Sequence, residues 1–152
     1  MDAEKTPPVL WGEGMSVGLE EMDQDHRRLV ELINRLSGAK DIEDAALIEQ
    51  VLDELLDYTV VHFAREEAYM RSVGFPLMDE HCLMHAKLTR KVEEIRLDYF
   101  LGKRESLGAE TLQFLKDWLC HHILVEDMKY NPHSLPIHTG FCRVPQAAAR
   151  AF

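Results

Sequence analysis

Four stretches of this 152-residue chain repeat apolar side chains at steps of three and four, and each apolar seam also carries ionisable residues. The first seam reads His26, Leu29, Ile33 and Leu36, and the second Ile48, Leu52, Leu55, Thr59, His62 and Glu66. The third reads His81, His85, Leu88, Val92, Ile95 and Tyr99, and the fourth Leu112, Leu115, Leu119 and His122. A 3.6-residue period places such positions on one face of an α-helix. Each face must be buried against another, and four long amphipathic helices joined by short connections favour an antiparallel up-down four-helix bundle. The fold class expected is therefore all-α.

Glycine, proline and capping residues set the expected boundaries. Residues 1–20 hold Pro7, Pro8, Gly12, Gly14 and Gly18, so they form an irregular N-terminal arm that packs on the bundle, with Trp11 and Val17 as its anchors. The first helix is expected to start near Met22 or Asp23 and to be capped by Gly38. The second begins near Asp41, a good N-cap, and stops at Gly74-Phe75-Pro76. The third runs from about Leu77 to Leu101 and ends at Gly102, and the fourth from Leu107 or Ala109 to Lys129 before Asn131-Pro132. The domain organisation expected is the arm at 1–20, the bundle at 21–130 and a C-terminal tail at 131–152 containing His133, His138 and Cys142.

Length and a hydrophobic content of 46% suit one domain with a sizeable core. The net charge of −10 argues against nucleic acid or an anionic membrane surface as partner, since phosphate neutralisation needs clustered Lys and Arg. No signal peptide and no membrane-spanning stretch is visible, and the three cysteines, Cys82, Cys120 and Cys142, form neither a disulfide framework nor a CxxC pair. A soluble protein in the reducing cytoplasm is expected, with its oligomeric state left open.

The seam residues carry the chemistry. His62 with Glu66, and His81 with His85, stand four apart, about 40° in azimuth on a helix, so each pair can grip one centre. A lone core histidine is more often a hydrogen-bonded structural residue than a ligand. So many ionisable groups on core faces without a cation, however, would cost several kcal/mol per unpaired charge, which a domain stable by roughly 5–15 kcal/mol cannot absorb. Imidazoles and carboxylates without thiolate suit a first-row metal such as iron, manganese or cobalt, and their number suits two ions. After His122 the spacing alone selects Glu126, four residues on, over Asp127, which lies about 140° away on an ideal helix.

The ordered set closely resembles the hemerythrin family in its bacterial form. The resemblance rests on Trp11 through Ser16-Val17-Gly18, on Asp23-Gln24-Asp25-His26, on His62-Phe63 with Glu66-Glu67, on His81-x-x-x-His85, and on Trp118-Leu119-x-x-His122-Ile123 with Asp127. It covers about residues 10–130 and implies a non-haem di-iron protein that binds dioxygen reversibly for transport, storage or delivery, and is not an enzyme. It implies that His81, His85 and His122 hold one iron and His26 and His62 the other. Glu66 and Asp127, with an oxo or hydroxo group, would bridge the two, and the two-histidine iron would keep the open position. It also implies an oxygen pocket of Phe63, Trp118, Leu119 and Ile123, whose side chains offer no general acid. The family pattern selects Asp127, so a local π-helical turn must bring it onto the face of His122.

Two other classes compete. One is an oxygen, redox or iron sensor acting through a separate partner, since no room for an output domain follows the bundle. The other is a di-iron enzyme handling peroxide or nitric oxide. His121 is expected at the surface or behind a ligand, Cys82 and Cys120 as small buried hydrophobes, and Tyr58 as a donor to a ligand or a packing residue.

Overall fold

The computed structural model describes residues 7–132. They form an all-α antiparallel four-helix bundle: α1 (Glu20–Asp41), α2 (Ala45–Ser72), α3 (Met78–Phe100) and α4 (Ala109–His121). From α4 the chain passes into a π-helical turn at His122–Glu126 and a 3₁₀ turn at Asp127–Tyr130. The seams face inward, where Leu29, Ile33, Leu36, Leu52, Leu55, Val92, Ile95, Leu112 and Leu115 are all buried. Among the described residues, no helix is long and apolar enough to cross a membrane.

Helix ends differ from the expectation at three places. α1 does not stop at Gly38 but continues to Asp41, because the bonds that close it come later: Glu43 N–H donates to the Lys40 carbonyl at 3.1 Å and Asp44 N–H to the Ala39 carbonyl at 3.0 Å. This is a Schellman closure, which needs a left-handed residue just past the helix. Gly74 and Gly102 supply it for α2 and α3 at φ 64° and 86°, whereas after α1 the position is held by Glu43 at φ 54°. Asp41 is therefore not the N-cap of α2. That role falls to Asp44, whose side chain accepts from Leu47 N–H at 3.0 Å. Since a Cβ strains the left-handed conformation, Glu43→Gly is expected to raise stability by about 1 kcal/mol, read as a rise of ~2–4 °C in the thermal midpoint.

The third difference is the start of α1, at Glu20 rather than Met22 or Asp23. Asp23 is buried one turn inside the helix and turns its carboxylate back on the arm, accepting from Val17 N–H at 2.8 Å and from the Ser16 hydroxyl at 2.5 Å. The arm is tied further along by Val9 and Asn34, which exchange bonds of 2.9 and 2.8 Å, and by Lys116 Nζ, which donates to the Pro7 carbonyl at 2.9 Å and to Ser37 Oγ at 3.1 Å. Val17 is fully buried, and Trp11 packs on the core beneath the Arg27 guanidinium, 5.0 Å from its ring centre. Of the expected tail, His133, His138 and Cys142 lie outside the described residues.

Up-down topology sorts the bundle into two ends. The start of α1, the end of α2, the start of α3 and the end of α4 meet at one end, and these are the segments that carry the ionisable seam residues. The opposite end is filled by Leu36, Ile48, Ile95, Tyr99, Leu107 and Leu112, all buried.

Candidate metal centre

At the polar end all seven expected side chains converge. His26 comes from α1, His62 and Glu66 from successive turns of α2, His81 and His85 from successive turns of α3, and His122 and Asp127 from the irregular end of α4. Their ligating atoms form two groups, each within 4.8 Å: Glu66, His81, His85, His122 and Asp127, and His26, His62, Glu66 and Asp127. The two carboxylates belong to both.

Each carboxylate divides its oxygens between the groups. Glu66 Oε1 lies 3.2 Å from Nε2 of both His26 and His62, and its Oε2 lies 3.0 Å from His85 Nε2 and 3.8 Å from His81 Nε2. Asp127 Oδ2 lies 3.0 Å from His26 Nε2, while Oδ1 lies 3.0 Å from both His81 Nε2 and His122 Nε2. His85 and His122 bring their Nε2 atoms to 3.1 Å.

The His26–Glu66 Oε1 and His85–His122 approaches have hydrogen-bond geometry, but those to Glu66 Oε2 and to both Asp127 oxygens are close and poorly directed. Glu66 Oε2, His81 Nε2 and both Asp127 oxygens find no hydrogen-bond partner among the described residues, although Glu66 and Asp127 are 0% exposed. A native interior does not leave that many buried polar atoms unpaired without another binding partner. Donors about 2.1 Å from one ion and at right angles to each other stand ~3.0 Å apart, so the separations fit nitrogen and oxygen lone pairs aimed at common centres. The residues present thus fit cations, and their neutral nitrogen and anionic oxygen donors fit first-row metals.

The electrostatics point the same way. Burial works against a charge on His26, His62 and His81, yet the facing carboxylates outweigh it: His26 is raised, His62 is pushed up to about 10 and His81 to about 9. Burial likewise opposes ionisation of Glu66, but His62, with contacts from His26 and His81, holds its carboxyl well below the usual range. Asp127 is lowered too, against burial and the neighbouring Glu66 charge, by His122 and His26. Without metal the cluster balances its carboxylates with imidazole protons, and those protons occupy the nitrogens a cation would take.

The irregular end of α4 decides between the two adjacent acids. An ideal helix would aim Glu126 with His122, but the π-helical turn inserts the extra residue that brings Asp127 onto the same face. Glu126 lies outside both groups, its largely buried side chain paired with Lys129 at 2.8 Å. His121 is 66% exposed, with its Nε2 3.8 Å from Glu126.

Around the centre, rings set the orientation of the histidines. Phe63 stacks on His85 with centroids 3.7 Å apart and Trp118 on His122 at 4.4 Å. A narrow internal cavity of about 20 Å³ adjoins His26, His62, His122 and Asp127. Of the four residues expected around an oxygen pocket, Phe63, Trp118 and Leu119 line this cavity and Ile123 does not. Ile123 follows His122 in the π-helical turn and is buried in the apolar packing instead. The wall also includes Leu29, Ile33, Leu55, Thr59, Leu88, Val92 and Leu115, which read in the sequence simply as seam residues. Thr59 commits its hydroxyl to the Leu55 carbonyl at 2.6 Å, so it presents no free donor to the cavity.

Several supporting residues were not legible as such. Asp25, a buried carboxylate beside His26, accepts from His62 Nδ1 at 3.0 Å and from Tyr58 at 2.7 Å, so Tyr58 serves an acid and not a ligand directly. Glu67 accepts from His85 Nδ1 at 2.9 Å, and Tyr130 donates to Glu66 Oε1 at 2.6 Å. The available signal was adjacency: Asp25 precedes a ligand and Glu67 follows one. An acid beside a ligand usually faces solvent, and that hid both. Cys82 and Cys120 are free and only half-buried, because each sits at the edge of the inward face, beside His81 and His121.

Comparison with known proteins agrees with this geometry. A model of the family described as the hemerythrin HHE cation binding domain matches residues 17–134. The chain is 34% identical over 122 residues to the bacteriohemerythrin of Stenotrophomonas maltophilia and 35% identical over 122 residues to that of Pseudomonas aeruginosa, covering in each case 80% of this chain and 78% of the relative. It is 33% identical over 123 residues to a hemerythrin-like protein of Naegleria gruberi, covering 81% of this chain and 91% of that protein. Among solved structures, a wild-type hemerythrin superposes with a TM-score of 0.77 at 26% identity, over 83% of this chain and 97% of that one.

Proposed function

The chain belongs to the hemerythrin family, and from that footing we propose that it binds dioxygen reversibly at a non-haem di-iron centre, serving oxygen transport, storage or delivery. His81, His85 and His122 would hold one iron and His26 and His62 the other, with Glu66 and Asp127 bridging both. When bound, the two irons supply the electrons that dioxygen accepts on binding and returns on release.

The observation that carries the oxygen-binding reading is where the cavity meets the cluster. The group with fewer imidazoles, His26 and His62, contributes both of its histidines to the cavity wall, whereas the other group contributes only His122 of its three. The side with spare coordination capacity therefore faces an apolar space that can hold a small diatomic molecule, since about 10–15 Å³ admits one water-sized guest. Phe63, Leu119 and Trp118 make the wall apolar, and with the Thr59 hydroxyl committed no wall side chain apart from the proposed metal ligands is placed as a general acid to drive bond cleavage. Release without chemical change follows, and for this reason a carrier is favoured over an enzyme.

The test is an oxygen titration followed by visible absorbance, with iron counted on the same sample. The reduced protein is expected to take up about one dioxygen per two irons and to return it under vacuum over repeated cycles. Irreversible oxidation with product formed on first exposure would refute a carrier.

A further inference from the structure

Each proposed metal subsite has one imidazole backed by a carboxylate, and the two are built differently. At the three-imidazole subsite, His85 Nδ1 donates to Glu67, whose side chain is 30% exposed. At the two-imidazole subsite, His62 Nδ1 donates to Asp25, whose side chain is 3% exposed and also accepts from Tyr58 at 2.7 Å and from Arg65 Nη1 at 2.6 and 2.7 Å. Arg65 is held in turn by Glu21, 3.3 Å away. α1 and α2 are thus joined beside His62 by a closed set of charged contacts.

We propose that Asp25 is the positioning residue of the two-imidazole subsite, its clamped carboxylate holding the Nδ1 proton of His62 so that Nε2 presents its lone pair to the metal. The inference rests on the di-iron reading of the cluster and adds a division of labour: Asp25 supports one ion and Glu67 the other. A carboxylate on the far nitrogen fixes ring tautomer and orientation and raises donor strength, and losing such a partner commonly weakens metal affinity 10–100-fold. Tyr58 and Arg65 act in the opposite sense. Each donor they give to Asp25 draws charge from its oxygens and moderates what reaches His62. Their presence restrains a carboxylate that would otherwise enhance His62 further.

The experiment uses the full-length chain loaded with Co(II), whose visible spectrum reports each ion, and a competing chelator to measure how tightly each is held. In Asp25→Asn one Co(II) equivalent is expected to weaken about 10–100-fold while the other stays within about threefold. Glu67→Gln should weaken the other equivalent, by less because Glu67 is more exposed, and the spectrum of the ion retained should differ between the two variants. Tyr58→Phe, which keeps the carboxylate, is expected to hold the His62-side ion as tightly as the unsubstituted chain or up to about threefold more tightly. Should Asp25→Asn fold poorly, weakening of the His62-side ion by more than about threefold in Tyr58→Phe would by itself overturn the assignment. Equal weakening of both ions in Asp25→Asn, loss of the same ion in Asp25→Asn and Glu67→Gln, or weakening in Tyr58→Phe as large as in Asp25→Asn would each overturn the assignment. An unsubstituted chain that takes up fewer than two Co(II) ions would instead sink the two-metal reading itself, an outcome distinct from two tightly held ions indifferent to Asp25.

Discussion

Replacing Asp127 with Asn is expected to lower iron content from about two ions per chain to one or fewer, whereas Glu126→Gln should leave both ions in place. Asp127 sends one oxygen toward His26 and the other toward His81 and His122, and neither oxygen has another partner among the described residues. An amide keeps one acceptor but turns an NH₂ group toward an imidazole lone pair, so it cannot serve both groups and carries no charge to offset two cations. Even losing a carboxylate behind a ligand costs 10–100-fold in affinity, and removing a bridging ligand should cost more than about 100-fold. Glu126 is paired with Lys129 at 2.8 Å and belongs to neither group of converging atoms, so its neutralisation removes an ion pair but no candidate metal ligand. Iron counted per chain after purification and dialysis separates the two, and the opposite ranking would return the role to Glu126.

Removing the metal should produce the other large effect. A ligand at about a thousand times its dissociation constant stabilises the folded state by ~4 kcal/mol, and a chain of this size shifts its thermal midpoint by ~2–4 °C per kcal/mol. Chelation is therefore expected to lower the midpoint by ~8–16 °C for each tightly held ion.

The pH dependence of that loss has a definite sign. In the metal-free protein His62 and His81 are raised to about 10 and about 9, so their stabilisation is fully present below the unfolded value of 6.5 and is lost as pH rises through 9 and 10. Glu66 and Asp127 are lowered, so their contribution is present above the unfolded values of 4.5 and 3.8 and is lost as pH falls. The metal-free protein should be most stable between about pH 4.5 and 6.5 and should weaken from there to pH 9. The loaded protein should gain over that range, because fewer protons compete for the nitrogens. Thermal unfolding of both forms at pH 6, 7.5 and 9 checks this, and a metal-free protein that strengthens toward pH 9 would contradict it.

Most of the bundle was legible because burial leaves a periodic trace. The seams from His26 to Leu36 and from His81 to Tyr99 appear in the structure as the inward faces of α1 and α3. Helix ends were less legible wherever the usual residue was missing. Gly38 was the available glycine, but the left-handed turn falls at Glu43, since the position is set by where α1 can hand over to α2 without exposing Ala39. Ile123 shows the same limit inside the site. A residue beside a ligand shares its neighbourhood in the chain, but its direction is set by helix phase.

The sequence by itself determined which chemical groups this protein has to bury, and, through up-down topology, that the starts and ends of alternate helices carrying them meet at one end of the bundle. That much follows from local periodicity and connection length, which act over a few residues. Only the tertiary structure decided how the groups are shared: that Glu66 and Asp127 each split their oxygens between two sets of imidazoles, and that an apolar cavity adjoins both histidines of one set and His122 of the other. It also decided that a π-helical turn presents Asp127 over Glu126, and that Asp25 stands behind His62. These outcomes depend on helix phase and on contacts between residues far apart in the chain, such as Asp127 with His26 and Tyr130 with Glu66. No local pattern encodes them, because they are settled when four faces pack at once and every buried polar atom must find something to bind.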